Sequence, residues 1–215
     1  MANFSESVAP EQAIERLVQG NARFVEREHD LVNAGWRPGL SQGQKPFAII
    51  LGCSDARSPA ELVFDQGLGD LFVIRVAGNI VAPSGIGSVE YAVSQFGTRL
   101  VVVMGHTHCG AVRATLNGIQ GGDSSDSRHV RSITDRIRPH VQELALAGLT
   151  DDALMKAAVR ANVRACVAHL RNGSQLIEDY VRPGSVVVAG AVYDLDTGRV
   201  EFIELPPKQT SPSGP

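Results

Sequence analysis

The chain has 215 residues, 43% hydrophobic and 20% charged, which is enough for one full core and short for two domains. Twenty basic against 23 acidic side chains leave a formal charge of -3 with the basic residues scattered, which argues against a nucleic-acid footprint or a polybasic membrane patch and favours a small or neutral partner. The opening MANFSESVAPEQAIERL has no basic segment followed by an apolar one, and no later run approaches the ~18 apolar residues of a membrane span, so a soluble, cytoplasmic protein is expected. Three cysteines, an odd number, argue against a disulfide framework and leave thiol chemistry or metal ligation.

From Pro10 to Phe24 the apolar residues Ala13, Ile14, Leu17, Val18, Ala22 and Phe24 predict a moderately amphipathic helix, weakened by Gly20. Glu26 to Pro46 is polar and reads as loop with room for one helical turn; its Trp36 is expected to be a packing anchor. Three apolar runs, Phe47 to Leu51, Leu71 to Val76 and Leu100 to Met104, are too short for ordinary helices and read as buried parallel strands. Helical patterns lie between them, notably Gly87 to Phe96 with Val89, Ala92, Val93 and Phe96 on one face, and this alternation predicts a right-handed α/β sheet.

After Gly121 the stretch GGDSSDSRH reads as a surface loop, followed by helices from Val130 to Ala147 and from Asp151 to Leu170, the second capped by Thr150 or Asp151. Ser185 to Val192, the turn Asp196-Thr197-Gly198, and Val200 to Leu205 predict a hairpin at a sheet edge. The expected fold is one α/β domain over residues 1–215: a mostly parallel central sheet flanked by helices, a C-terminal edge hairpin, an N-terminal helical arm over about 1–45 and a disordered tail over about 207–215.

Two strands end in unusual chemistry. IILGCSDAR puts Cys53, Asp55 and Arg57 at the end of the first, and VVVMGHTHCG puts His106, His108 and Cys109 at the end of another. Ligands of open α/β sheets bind beyond the strand C-termini, so the motifs face each other if the two strands are neighbours. Two thiolates and an imidazole suit zinc, and three protein ligands leave a fourth position for water, as in a catalytic rather than a structural site. The alternative is that Cys53 and Cys109 are ordinary buried thiols. Cys166, inside a helical pattern with no partner at metal-like spacing, reads as core.

CSDAR followed some fifty residues later by GHTHCG resembles the signature of the β-class carbonic anhydrases, and the likeness extends through QKPFAIILGCSDARSPAE, FDQGLGDLFVIRVAGN, GSVEYAV and GHTHCGAV. The resemblance implies Cys53, His106 and Cys109 as ligands of one zinc ion per subunit, with hydration of carbon dioxide by attack of zinc-bound hydroxide. It also implies that Asp55 either pairs with Arg57, orienting the nucleophile, or swings onto the metal as a fourth ligand. Phe72 and Tyr91 match positions of the substrate pocket, and Gln44 matches a glutamine that donates to substrate, in some relatives across a subunit boundary. Gly110 would offer its N–H to developing negative charge, against the plainer reading of a glycine for tight packing. His108 is a candidate proton relay.

A bicarbonate-inhibited branch of the family carries tryptophan where this chain has Ile50, although Arg75 matches that branch's arginine; Ile50 therefore implies no cooperative inhibition by bicarbonate. The resemblance further implies a homodimer or homotetramer, with the N-terminal helix wrapping a neighbour, and no nucleic-acid or membrane partner. Two other readings use the same residues: hydrolysis of carbon disulfide or carbonyl sulfide, and a non-catalytic zinc-stabilised binding or redox module.

Overall fold

All three apolar runs are strands in the computed structural model, which describes residues 2–27, 35–36, 38–122 and 127–205. They are β1 (Ala48–Gly52), β2 (Leu71–Arg75) and β3 (Leu100–His106), joined by β4 (Val187–Tyr193) and β5 (Val200–Glu204) in one sheet of order β2-β1-β3-β4-β5. The first four strands are mutually parallel and β5 returns antiparallel to β4, as the edge hairpin predicts. The remaining elements are helices α1 (Pro10–Glu26), α2 (Ala60–Val63), α3 (Pro83–Phe96), α4 (Gly110–Ile119), α5 (Arg128–Ala145), α6 (Asp151–Asn172) and α7 (Gln175–Val181). Among the described residues, no helix is long and apolar enough to cross a membrane.

Every residue of β1, β3 and β4 is buried because both faces of the sheet are covered, which is why these strands read as continuous rather than alternating apolar runs. The period-2 alternation survives in which core each side chain enters. Ile49, Leu51, Val101 and Val103 pack in the layer with α3 to α7, whereas Ala48, Ile50, Leu100, Val102 and Met104 pack in the layer with α1 and α2.

The N-terminal helix is bound into its own chain. Ala13 and Leu17 are fully buried, and the Asn21 amide donates to Val63 O and Gly198 O while its oxygen accepts from Val200 N, tying α1 to α2 and to the hairpin. Trp36, by contrast, is 79% exposed and is no anchor of the core formed by the described residues, a correction to the sequence reading. The expected tail over about 207–215, and residues 123–126 of the polar loop, lie outside the described residues. Leu40–Gln42 forms the single turn allowed for in the first loop.

Gly20 acquires a tertiary meaning. A Cβ there would lie 1.8 Å from the Phe64 carbonyl oxygen, so the missing side chain is what lets α1 lie against the end of α2. Helix propensity alone makes Gly20→Ala stabilising by about 1 kcal/mol. The packing reverses the sign: urea unfolding of Gly20→Ala should show a loss of about 1–3 kcal/mol, and a gain would contradict this account of the contact.

Candidate metal centre

The pairing of β1 with β3, Gly52 opposite Met104, brings the two motifs to one edge of the sheet. This is where the strand order reverses, the crevice in which open α/β sheets hold ligands. Cys53 follows β1, His106 ends β3 and Cys109 caps α4; all three are buried, and one ligand atom of each lies within 4.8 Å of the others.

His106 Nδ1 is 2.8 Å from Thr107 O, and since a carbonyl can only accept, Nδ1 carries the proton and Nε2 presents its lone pair. Nε2 is buried and makes no hydrogen bond among the described residues. Leaving such an acceptor unpaired costs about 1–3 kcal/mol, and a cation between it and the two sulfurs would remove that cost. Two sulfurs and an imidazole nitrogen, closely grouped and buried, form a donor set that fits zinc.

The two cysteines divide their protonation. The hydrogen bond from Cys109 is the largest influence lowering the Cys53 thiol, against burial, with His106 and the Gly78 N–H (3.3 Å from Sγ) adding to it. Cys109, which donates that bond and is buried beside the resulting thiolate, is raised, although the N–H groups of Ala111 and Val112 at the start of α4 favour its ionised form. For His106, burial disfavours the imidazolium, but Cys53, the Thr107 carbonyl and Asp55 outweigh it and the net shift is upward.

Asp55 and Arg57 form a bidentate pair. Oδ1 accepts from the Arg57 backbone N–H and Nε, both at 2.9 Å, and Oδ2 accepts from Nη2 at 2.8 Å. These bonds hold the Asp55 carboxyl well below the usual carboxylate range against the opposing effect of burial. Oδ2 also lies 3.8 Å from His106 Nε2, so the carboxylate stands beside the Cys-His-Cys group while committed to arginine.

The loop carrying these groups is braced from β2, where Arg75 Nε donates to Cys53 O at 3.0 Å and Nη2 to Asp55 O at 2.6 Å. The second motif is braced from β4: Thr107 N donates to Tyr193 O and Thr107 Oγ1 accepts from Leu195 N. No sequence motif marks Thr107 or Gly78 for these roles; they follow from chain segments that meet only in the fold.

The remaining candidates are dispersed. Phe72 and Tyr91 cluster with Phe96 in tilted and edge-to-face contacts, at ring-centroid distances of 5.6 to 6.3 Å, beside edge strand β2, Phe72 half-buried and Tyr91 exposed. Gln44 is exposed and lines a separate cleft of about 410 Å³ with Lys45 and Asp70, which contains none of the ligating residues. Gly110 begins α4 with open space where a side chain would project, so close packing does not account for it. His108 has a left-handed backbone (φ 56°) and its Nε2 sits 3.4 Å from Asp196 Oδ2, on the wall of an 810 Å³ cleft between α1, α6 and the β4–β5 turn that excludes Cys53, His106 and Cys109. Ile50 is core, as is Cys166, whose thiol burial pushes up to about 11.

Residues 48–200 match the family model described as carbonic anhydrase. The chain is 40% identical over 193 residues to carbonic anhydrase 2 of Mycobacterium tuberculosis, covering 88% of this chain and 91% of that one. Its fold is similar to the β-carbonic anhydrase CcaA (TM-score 0.67, 28% identity, 92% and 94% of the two chains). It is also similar to a tetrameric β-carbonic anhydrase of Sordaria macrospora (TM-score 0.69, 24% identity, 89% and 97%).

Because burial beside Cys53 raises the Cys109 thiol, a metal bound by both sulfurs must displace a proton from it. Titration calorimetry of the apoprotein with zinc near pH 7, in buffers of different ionisation enthalpy, should show release of about one proton or more per site. Binding without proton release would contradict ligation by both cysteines.

Proposed function

We propose that this chain, which belongs to the β-class carbonic anhydrase family, hydrates carbon dioxide reversibly to bicarbonate and a proton, using one zinc ion per subunit held by Cys53, His106 and Cys109. The observation carrying this reading is the unpartnered, buried His106 Nε2 facing two cysteine sulfurs beside an arginine-held carboxylate. When bound, zinc supplies the Lewis acidity that brings the ionisation of a coordinated water down towards neutral pH.

The chain's own residues supply the rest. Asp55, kept ionised by Arg57, accepts a hydrogen bond from the attacking oxygen at Oδ2 and aims the oxygen's lone pair at the substrate carbon. Swinging Asp55 towards the ligand cluster would break three hydrogen bonds from Arg57, so the formed pair supports an open fourth position. Gly110 N–H, exposed at the start of α4, is suited to the negative charge that develops on the substrate oxygens.

Phe72 and Tyr91 provide the apolar wall that a small neutral gas requires, and Gln44, remote from its own cluster, acts from a neighbouring subunit. A homodimer or homotetramer is proposed accordingly. The exposed Trp36 and Tyr91 support association, as does the tetrameric state named for the Sordaria macrospora relative. Because Ile50 is sealed in the core and Arg75 is spent on the carbonyls of Cys53 and Asp55, no cooperative bicarbonate pocket is proposed.

In stopped-flow hydration assays run beside carbon disulfide, carbon dioxide should be the substrate turned over, with a hyperbolic response to bicarbonate; a sigmoidal response would contradict the role given to Ile50. Cys53→Ser should lose zinc and activity together, and full activity with zinc retained would overturn the ligand assignment. Arg57→Ala should keep its zinc yet lose about 10–100-fold in kcat, because Asp55 is no longer held.

A further inference from the structure

One buried polar side chain has no place in the reaction described above. Asn162 is 1% exposed, on the face of α6 otherwise formed by Leu154, Met155, Ala158, Val159, Val163 and Cys166. An amide in such a stripe is costly unless it is hydrogen-bonded, and a leucine there would fill the same layer without that cost. Its Nδ2 donates to Gly78 O at 2.9 Å, 84 residues away, and its Oδ1 meets only the weak donor Cys166 Sγ at 3.9 Å. The Gly78 carbonyl is therefore its strong partner among the described residues.

Gly78 is the residue whose N–H reaches Cys53 Sγ at 3.3 Å. It occupies the single turn Ala77–Asn79 between β2 and α3, with φ 71° and ψ 17°, and Asn79 after it is also left-handed at φ 44°. The turn is closed by one hydrogen bond of its own, from Asn79 N to Val76 O at 3.0 Å, which leaves the Gly78 carbonyl to be met from outside it. The packing leaves no room for a side chain: a Cβ on Gly78 would come within 2.8 Å of Ile137 Cδ1 and 3.0 Å of Ala111 Cβ. The turn is thus pressed by α4 and α5 on one side and pinned at its carbonyl by α6.

We propose that Asn162 is a positioning residue for the metal centre: by holding the Gly78 carbonyl it aims the Gly78 N–H at the Cys53 sulfur, and so limits the charge that this sulfur donates to a bound metal. An N–H directed at a thiolate withdraws electron density from it, which leaves the metal a stronger Lewis acid. The inference rests on the reading of Cys53 as a ligand.

The test is Asn162→Leu, which keeps the branched heavy-atom shape and removes the donor, in the full chain loaded with cobalt(II) and, separately, with zinc. The thiolate-to-cobalt charge-transfer band should move to longer wavelength, because a thiolate without its N–H partner gives up electrons more easily. Zinc affinity, by competition with a chromophoric chelator, should fall about tenfold or more, because the unpinned turn no longer holds the Cys53 sulfur in place and this outweighs its stronger donation. A variant that only melts earlier, with band and affinity unchanged, overturns the proposal and reduces Asn162 to a packing residue. A wild-type protein with no thiolate band at all would instead overturn the assignment of Cys53. Should Asn162→Leu fail to fold, NMR of the cadmium-113-loaded wild type decides. Couplings across both hydrogen bonds, from Asn162 Nδ2 to the Gly78 carbonyl carbon and from the Gly78 amide proton through sulfur to cadmium, are expected, and absence of either refutes the chain of contacts.

Discussion

Parallel pairing of β1 with β3 carries Cys53 and His106 to the same height at one sheet edge, and α4 starts there with Cys109 as its cap. Both strands are buried on both faces, so neither can slide without moving its side chains into the wrong core layer. A single residue of slippage would send Ile49 and Leu51 to the α1 side and pull Cys53 out of reach of His106. The donor geometry is therefore fixed by the hydrophobic register of the sheet, long before any cation is considered.

What the fold assembles there is electrostatically uncomfortable on its own. Two cysteine sulfurs and an imidazole are buried together, and the chain relieves them with the Gly78 N–H and the N-terminus of α4. His106 Nε2 even so has no hydrogen bond among the described residues. Nearby, Asp55 carries a full charge that would be drawn to any cation among those donors, and Arg57 competes for the same oxygens. Where Asp55 sits thus depends on the contest between arginine and metal, with Arg75 keeping the loop itself in place.

The parts readable from sequence are those whose physics is local. The apolar runs that become β1, β2 and β3 are bounded and too short for helices, and CSDAR and GHTHCG place their reactive groups just past strand ends. Nothing local reveals contacts between distant segments. Gly20 reads as a weak point of a helix because the Phe64 carbonyl it accommodates lies 44 residues further on. Asn162 is hidden in an apolar stripe, and its partner Gly78 lies in a turn 84 residues earlier in the chain. Trp36 reads as core because tryptophan usually is, yet it is exposed on its own chain. His108 looks like part of the ligand motif, but its left-handed backbone accompanies a side chain paired with Asp196. The short helices α2 and α7 carry too few residues for a period to show.

X-ray absorption at the zinc K-edge of the purified, metal-loaded protein tests the central claim most directly, since it counts sulfur neighbours without assuming a mechanism. Two sulfur atoms near ~2.3 Å and two nitrogen or oxygen atoms near ~2.0–2.1 Å are predicted, the latter being His106 and the fourth ligand. A shell with four sulfurs, or with none, would contradict the site described for Cys53, His106 and Cys109.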